Sequence, residues 1–451
     1  MLSEDEKSEA FFTGKYRTFH MGEKSGQAIQ KNKNKTALLF FLLAMLYFTS
    51  YMTRLNLSAA KAILVVDLDI FDKGQVGIMG TALFFSYGLG QIISGLLSDK
   101  FKPERIVAIG LITTCVCNAV LPFLSNNVAL MSIVWGVNGL AQAFFWPPIV
   151  RILSKYTDKK GYTRGVWVVS VASYVATLLI FILVPLEINY IRWEAAFWLS
   201  ALLALVVLAI WLVFYSHFKK TAVEVVEDKE DPAQVANNDV PAAQTGKKRS
   251  DIFTVIFSSG ALFMFAAVAA QGFFKDGLQD WFPTLLSEGF GMDASFATFS
   301  NLLLPLFSIV TMSVSTVLFQ KVFKNELTEA ILLFAITACL TGAMIPILKF
   351  KVSAVLLLVL AAIVNSCLHG VNAMFTCFAP GRYKKVDKVA TMSGLFNAYS
   401  YMGGAISSYG IGMIAEKQGW TWSLVTWGSV CIVGIIACVV SLKKWNRYIK
   451  M

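Results

Sequence analysis

Long apolar runs without interruption recur from about residue 36 to the C-terminal end of the chain. A helix needs roughly 20 such residues to cross the hydrocarbon core of a bilayer, and only helices or closed barrels satisfy their backbone groups there. The runs are continuous and do not alternate with a period of two, which excludes a barrel. Composition agrees: of 451 residues, 56% are hydrophobic and only 15% charged. The pattern predicts an all-α membrane protein of twelve transmembrane helices, near 36–61, 74–98, 104–124, 129–153, 164–186, 194–216, 254–283, 294–320, 327–348, 353–378, 390–414 and 421–442.

Residues 217–250 read HFKKTAVEVVEDKEDPAQVANNDVPAAQTGKKRS, a polar stretch with no spanning pattern. A linker of this composition is solvated and divides the helices six and six. The expected organisation is a tail over 1–35, a six-helix bundle over 36–216, a linker over 217–253, a second bundle over 254–442 and a tail over 443–451. Residues 1–35 carry seven basic residues and no apolar segment near the start, so they read as a tail and not as a signal peptide.

Lysine and arginine set the orientation. Of 39, the segments on the side of the two termini hold 31 and the opposite loops five (Lys73, Arg192, Lys349, Lys351 and Lys417). Both termini are therefore expected in the cytoplasm. This clustering between apolar runs also explains the net charge of +11 without invoking nucleic acid. The seven cysteines lie in or beside apolar runs with no metal-ligand spacing, so neither a disulfide framework nor a metal or other cofactor is expected.

The halves repeat. The sixth run opens at Trp193-Glu194 and the twelfth at Trp420-Thr421, 227 residues apart. Arg54 and Lys275 stand 221 residues apart, in the first and seventh runs. Two features at nearly one spacing argue for duplicated halves, an arrangement that places a binding site at the midplane between them.

Three basic residues, Arg54, Lys61 and Lys275, fall inside apolar runs. A charge at bilayer depth costs a few kcal/mol and marks a function or a pair. Arg54 lies about 18 residues from the terminal side, too deep to snorkel. Its fork-shaped guanidinium suits phosphate or carboxylate oxygens, though an internal salt bridge would also account for it. Lys61 lies nearer the opposite end and can snorkel. Lys275 has Asp276 beside it and Asp280 five residues on, roughly 140° around a helix, so neither is well placed to neutralise it within the helix. Lys275 either meets Arg54 across a cavity or pairs with an acid of another helix as a gate; Asp276, Asp280 and Lys61 are separately candidates for a coupling or gating role. Tyr47 and Tyr51 share the helical face of Arg54 and can donate to an anion, or simply line the cavity. His369 is the one histidine deep in an apolar run, a candidate for anion contact or proton transfer or a satisfied intramembrane histidine.

GLLSDKFKPER, from Gly95 to Arg105, resembles the cytoplasmic loop signature of the major facilitator superfamily, in which Asp99 and basic residues such as Arg105 latch the cytoplasmic side. NGLAQAFFWPP, from Asn138 to Pro148, resembles the fourth-helix motif of the organophosphate:phosphate antiporters, the glycerol-3-phosphate and hexose-phosphate transporters. The surroundings of Arg54, with Asn56 two residues on, and the segment KDGLQDWFP are similar to that family too. The resemblance runs from about 36 to 442 and implies the two-bundle fold. It also implies that Arg54 and Lys275 clamp phosphate with Tyr47 and Tyr51 assisting. Gln142, Trp146, Asn397 and Tyr401 would be further liners. Two departures stand out: Leu55 occupies a commonly basic position, and Ser173 stands where a fifth-helix histidine is expected.

The expected function is alternating-access transport of a small organic anion, a sugar phosphate or glycerol phosphate, in exchange for inorganic phosphate. Proton-coupled uptake of a carboxylate such as a uronate is the alternative, and a transporter-like sugar-phosphate sensor a third. The chain is expected to act as a monomer in the plasma membrane. No nucleophile–base constellation, phosphate-binding glycine loop or metal motif points to an enzyme.

Overall fold

The computed structural model describes residues 35–216, 218, 252–308, 319–323, 325–386 and 388–450. The expected tail over 1–34, nearly all of the linker and the middle of the eighth run lie outside these residues, as does the side chain of Asp99.

The first half is built of α1 (Lys35–Asp67), α2 (Lys73–Lys100), α3 (Pro103–Leu124), α4 (Val128–Tyr156), α5 (Lys159–Tyr190) and α6 (Ala195–Tyr215). In the second half a short helix, Ile252–Ser259, passes through left-handed Gly260 into α7, Ala261–Phe290. Then follow α8 (Ala294–Ser308), α9 (Glu326–Lys349), α10 (Ala354–Tyr383), α11 (Val389–Gln418) and α12 (Trp420–Lys450).

Ten of the described helices are long and apolar enough to span a bilayer. α8 is described over only 15 residues, up to the undescribed 309–318. α11 has 30 residues but a more polar sequence, YMGGAISSYGIG, and its contacts explain that. It is packed against both α7 and α2, so its small and polar residues face protein and not lipid. Several helices outrun the apolar windows: α1 continues to Asp67, α7 passes Pro283 to Phe290, and α12 reaches Lys450. A polar end costs a helix nothing once its last turns leave the hydrocarbon.

α7 and α11 run parallel in a four-residue register. Gly272 meets Ser400, Asp276 meets Gly404, and Asp280 accepts from Ser408. A Cβ on Gly272 would lie 1.9 Å from the Ser400 carbonyl oxygen, so only glycine permits this approach. α2 runs antiparallel to the same helix, with Gly77 against Ser408 and Gly88 against Tyr401. α11 therefore joins its own half to the other one.

The internal repeat is visible in the packing. Near the terminal face of the first half, Trp211 Nε1 at the end of α6 donates to the Glu104 carbonyl oxygen at the start of α3, at 3.3 Å. In the second half Trp445 of α12 donates to the Glu326 carboxylate of α9 at 3.1 Å, and Arg382 closes on the same carboxylate at 2.7 Å.

Hydrogen bonds and ion pairs between the halves gather toward the α1–α2 loop. Lys73 of α2 pairs with Glu288 at 2.9 Å and Glu416 at 3.6 Å. Asn189 donates to Ser295 at 2.9 Å, and Thr81 to the Ala405 carbonyl at 2.6 Å. The halves are thus sealed on the face away from the termini.

Gly272→Ala is expected to force α7 away from α11 and to cost about 1–3 kcal/mol as overpacking against an unyielding backbone. Thermal unfolding of the purified protein in detergent checks this; an unchanged midpoint would contradict the register.

Candidate functional site

α1 carries a polar stripe on one face: Tyr47, Tyr51, Arg54, Ser58 and Lys61, spaced by four and three residues. Its opposite side is fixed by a buried network. Gln142 of α4 donates to Thr53 and to Thr114 of α3, both at 2.9 Å, while its oxygen accepts from Ser50 at 2.6 Å. Asn118 and Asn138 both donate to the Thr53 carbonyl at 3.1 Å, and Asn56 donates to Asn118 at 2.7 Å. This network sets the rotation of α1 and so aims Arg54 inward. It also changes the expectation for Gln142, which is 1% exposed and committed to holding helices together. Its amide nitrogen and oxygen are both engaged by α1 and α3.

Arg54 is 9% exposed, and no carboxylate lies within salt-bridge distance of it among the described residues. Its guanidinium carbon instead stands 4.3 Å from the ring centre of Tyr51 and 4.9 Å from that of Tyr87 of α2. Cation–π contacts of this kind are worth about 0.5–2 kcal/mol each, well short of a counter-ion in a low-dielectric site. Tyr51 packs edge-on to Tyr47, whose ring contacts Trp146 at 5.1 Å. Tyr87 stands edge-on to Tyr401 of α11 at 4.5 Å, the aromatic contact that bridges the halves at mid-depth. Tyr47, Tyr51, Trp146, Tyr401 and Asn397 are each partly exposed.

Sequence reasoning missed Tyr87. It lies in FFSYGLGQ with no charge beside it, and only the packing of α2 on α1 and α11 brings it to Arg54.

Lys275 lies within electrostatic reach of Tyr51 on α1 and of His369 on α10. It differs from Arg54 in having an anion. Its ammonium bonds to Asp276, which helical geometry had made a poor partner. The flexible lysine stem folds back along the helix, which an angular count between Cβ positions does not capture. The other oxygen of Asp276 is buried against Gly404 and has no hydrogen-bond partner among the described residues.

Lys61 does not snorkel. α1 continues past it, it is 1% exposed, and its ammonium pairs with Asp280 of α7 across the two halves. Ser58 donates to Asp280 at 2.5 Å and Ser408 at 2.9 Å, and the ammonium lies 4.2 Å from the Trp281 ring centre. A small cleft separates this pair from Arg54, lined by Ser58, Gly80, Phe84 and Trp135. Arg105 is exposed in the first turn of α3, on the terminal face and apart from the cavity.

The arrangement is therefore one buried cation without a counter-ion, one cation held by a neighbouring acid, and one ion pair closing the face beyond them. It can hold an anion near the midplane between two halves.

Comparison with known proteins bears on this geometry. The family model described as Major Facilitator Superfamily matches residues 40–408. The chain is 27% identical over 457 residues to a probable hexose phosphate transport protein of Chlamydia pneumoniae, covering 95% of each. It is 23% identical to the glycerol-3-phosphate transporter of Bacillus subtilis, covering 89% of this chain and 90% of that one. Among solved structures it is similar to a bacterial homologue of the human lysosomal transporter Spinster, inward-facing and unoccupied, with a TM-score of 0.71 and 13% identity. That alignment covers 92% of this chain and 98% of the other.

Lys61→Ala is expected to destabilise the protein by about 3–5 kcal/mol because it leaves the buried charge of Asp280 without a cation. The double variant Lys61→Ala, Asp280→Ala should recover most of that loss. Thermal unfolding of the three variants in detergent decides it, and additive losses would break the pairing.

Proposed function

The chain belongs to the major facilitator superfamily, and from that membership and the lone cation of its cavity we propose that it exchanges a small organic phosphate for inorganic phosphate by alternating access. The observation that carries this reading is Arg54: a guanidinium at bilayer depth with aromatic faces around it and no acid in ion-pair distance among the described residues. A charge so placed is costly while the site is empty and is stabilised when an oxyanion fills the fork. An empty carrier that resists crossing and a loaded one that crosses easily is what obligatory exchange requires. The hexose-phosphate and glycerol-phosphate transporters among its relatives support an organophosphate as cargo, with a sugar phosphate or glycerol phosphate on one side and phosphate on the other.

In this reading Arg54 binds the phosphoryl oxygens and Lys275 reaches the same group from the second half. Tyr47, Tyr51, Tyr87 and Tyr401 offer hydroxyl donors, and Trp146, Asn397 and His369 shape the remainder of the cavity. The Lys61–Asp280 and Lys73–Glu288 pairs hold the far face shut and part when the cavity opens that way. The termini lie in the cytoplasm, as the excess of basic residues on their side directs. The conformation is then open toward the cytoplasm, and the protein works as a monomer in the plasma membrane.

Proteoliposomes loaded with inorganic phosphate should take up labelled hexose or glycerol phosphate, and empty ones should not. Uptake driven by a proton gradient without internal phosphate would replace exchange with symport, and binding without uptake would mark a sensor. Arg54→Ala and Lys275→Ala should each cut exchange at least about thirtyfold, given the 2 kcal/mol or more expected for truncating one member of a buried charged contact. Each should still yield folded protein in the membrane. Near-normal exchange by either variant removes that residue from the site.

A further inference from the structure

The cavity holds two cations, yet its fixed charge is not two. Arg54 contributes one unbalanced positive charge. Lys275 is balanced by Asp276, and Lys61 by Asp280. An anion that enters therefore meets a net charge of one, unless it takes Lys275 away from Asp276.

Asp276 is built to resist that exchange. It is 7% exposed and lies against α11, where a Cβ on Gly404 would come 2.7 Å from its outer oxygen. That oxygen has no partner among the described residues, and around the next residue, Gly277, the Ser407 hydroxyl and the Trp427 indole nitrogen are also buried without partners. Half of the carboxylate's acceptor capacity is unused, so the ammonium of Lys275 is its main stabilising contact. If cargo removed that contact, a carboxylate would remain buried and alone, among the costliest states a protein interior offers.

We propose that Asp276 is the residue that selects cargo by charge: the site accepts a singly charged oxyanion, and a doubly charged one enters only together with a proton. This rests on the phosphate-exchange reading above and specifies its ionic form. A singly charged ester neutralises Arg54 and leaves the Lys275–Asp276 pair intact. A doubly charged ester would leave one surplus negative charge in the cavity. With a proton on the ester or on Asp276 the balance returns to zero, and the carrier crosses as a neutral complex in both directions.

The groups that face this centre are few. Lys275 and Asp280 stand on its own helix, Tyr401 faces it from α11, and Arg54, Tyr51 and Tyr87 lie across the cavity on α1 and α2. His369 of α10 lies within electrostatic reach of Lys275. Asp280 is already committed to Lys61, Ser58 and Ser408, which leaves Asp276 as the acid that competes with cargo.

Two esters of one sugar separate the possibilities. Glucose 6-phosphate loses its second proton near pH 6, so it is mainly singly charged at about pH 5 and doubly charged at about pH 8. Glucose 6-sulfate has nearly the same shape and carries one charge at both values. Calorimetry on the purified full chain should find the sulfate ester bound within about threefold equally at both pH values. The phosphate ester should weaken at least tenfold at the higher value. Asp276→Asn should restore the phosphate ester at high pH at least tenfold and leave the sulfate ester unimproved. A wild-type protein that keeps or gains affinity for the phosphate ester at high pH overturns charge selection, whatever the variant does. Failure of these esters, glycerol 3-phosphate and inorganic phosphate all to bind at either pH would overturn the exchange reading itself.

Discussion

A buried charge in a lipid-embedded protein is costly without an opposite charge, and the packing of this molecule is organised around which of the three cations Arg54, Lys61 and Lys275 has one. The cost of an isolated ion in hydrocarbon far exceeds any single helix–helix contact, so the partners of those ions fix the relation of the halves. Lys61 finds Asp280 across the interface and thereby draws α1 onto α7. Lys275 finds Asp276 within its own helix and makes no demand on the other half. Among the described residues Arg54 finds the faces of Tyr51 and Tyr87 and no acid. In the proposed function, a bound anion corrects the deficit at Arg54.

Holding that deficit open takes structure. The amide and hydroxyl network of Ser50, Thr53, Thr114, Asn118, Asn138 and Gln142 spends its donors and acceptors on α1, α3 and α4, with none offered to cargo. It fixes α1 so that Arg54 cannot rotate toward lipid or collapse onto a distant acid. On the opposite side α11 is shaped for contact at two faces, with Gly404 making room for Asp276 and Ser408 supplying a donor to Asp280. The same helix carries Tyr401 to Tyr87 at mid-depth, so rocking one half against the other must rearrange the rings that cover Arg54. Emptying or filling the cation site is in this way tied to the seam between the halves.

Much of this was legible in the residues. Helix number and placement followed from the length of the apolar runs, because backbone satisfaction in lipid leaves no other solution. Arg54 and Lys275 stood out because charge at depth is expensive, and their matching positions came from the internal duplication. What a linear pattern does not contain is which helix faces which. Tyr87 carries no charge or motif and reached the site only through the packing of α2. Gln142 is as polar as any ligand-binding residue, and its commitment to Thr53 and Thr114 is decided by α3. Lys61 read as snorkelling because the first apolar run ends there, whereas the helix continues to Asp67 and buries it. Lys275 and Asp276 pair through a flexible stem whose reach a count of helical angles does not predict.

The central claim is that the guanidinium of Arg54 waits without a counter-ion for the phosphoryl group of the cargo. Cryo-electron microscopy of the protein with a sugar phosphate tests it most directly. The account requires the phosphoryl density within hydrogen-bond reach of Arg54, between α1 and α7, with the Lys61–Asp280 pair still closed beyond it. Density for the ester elsewhere, with Arg54 still stacked on Tyr51 and Tyr87, would contradict it.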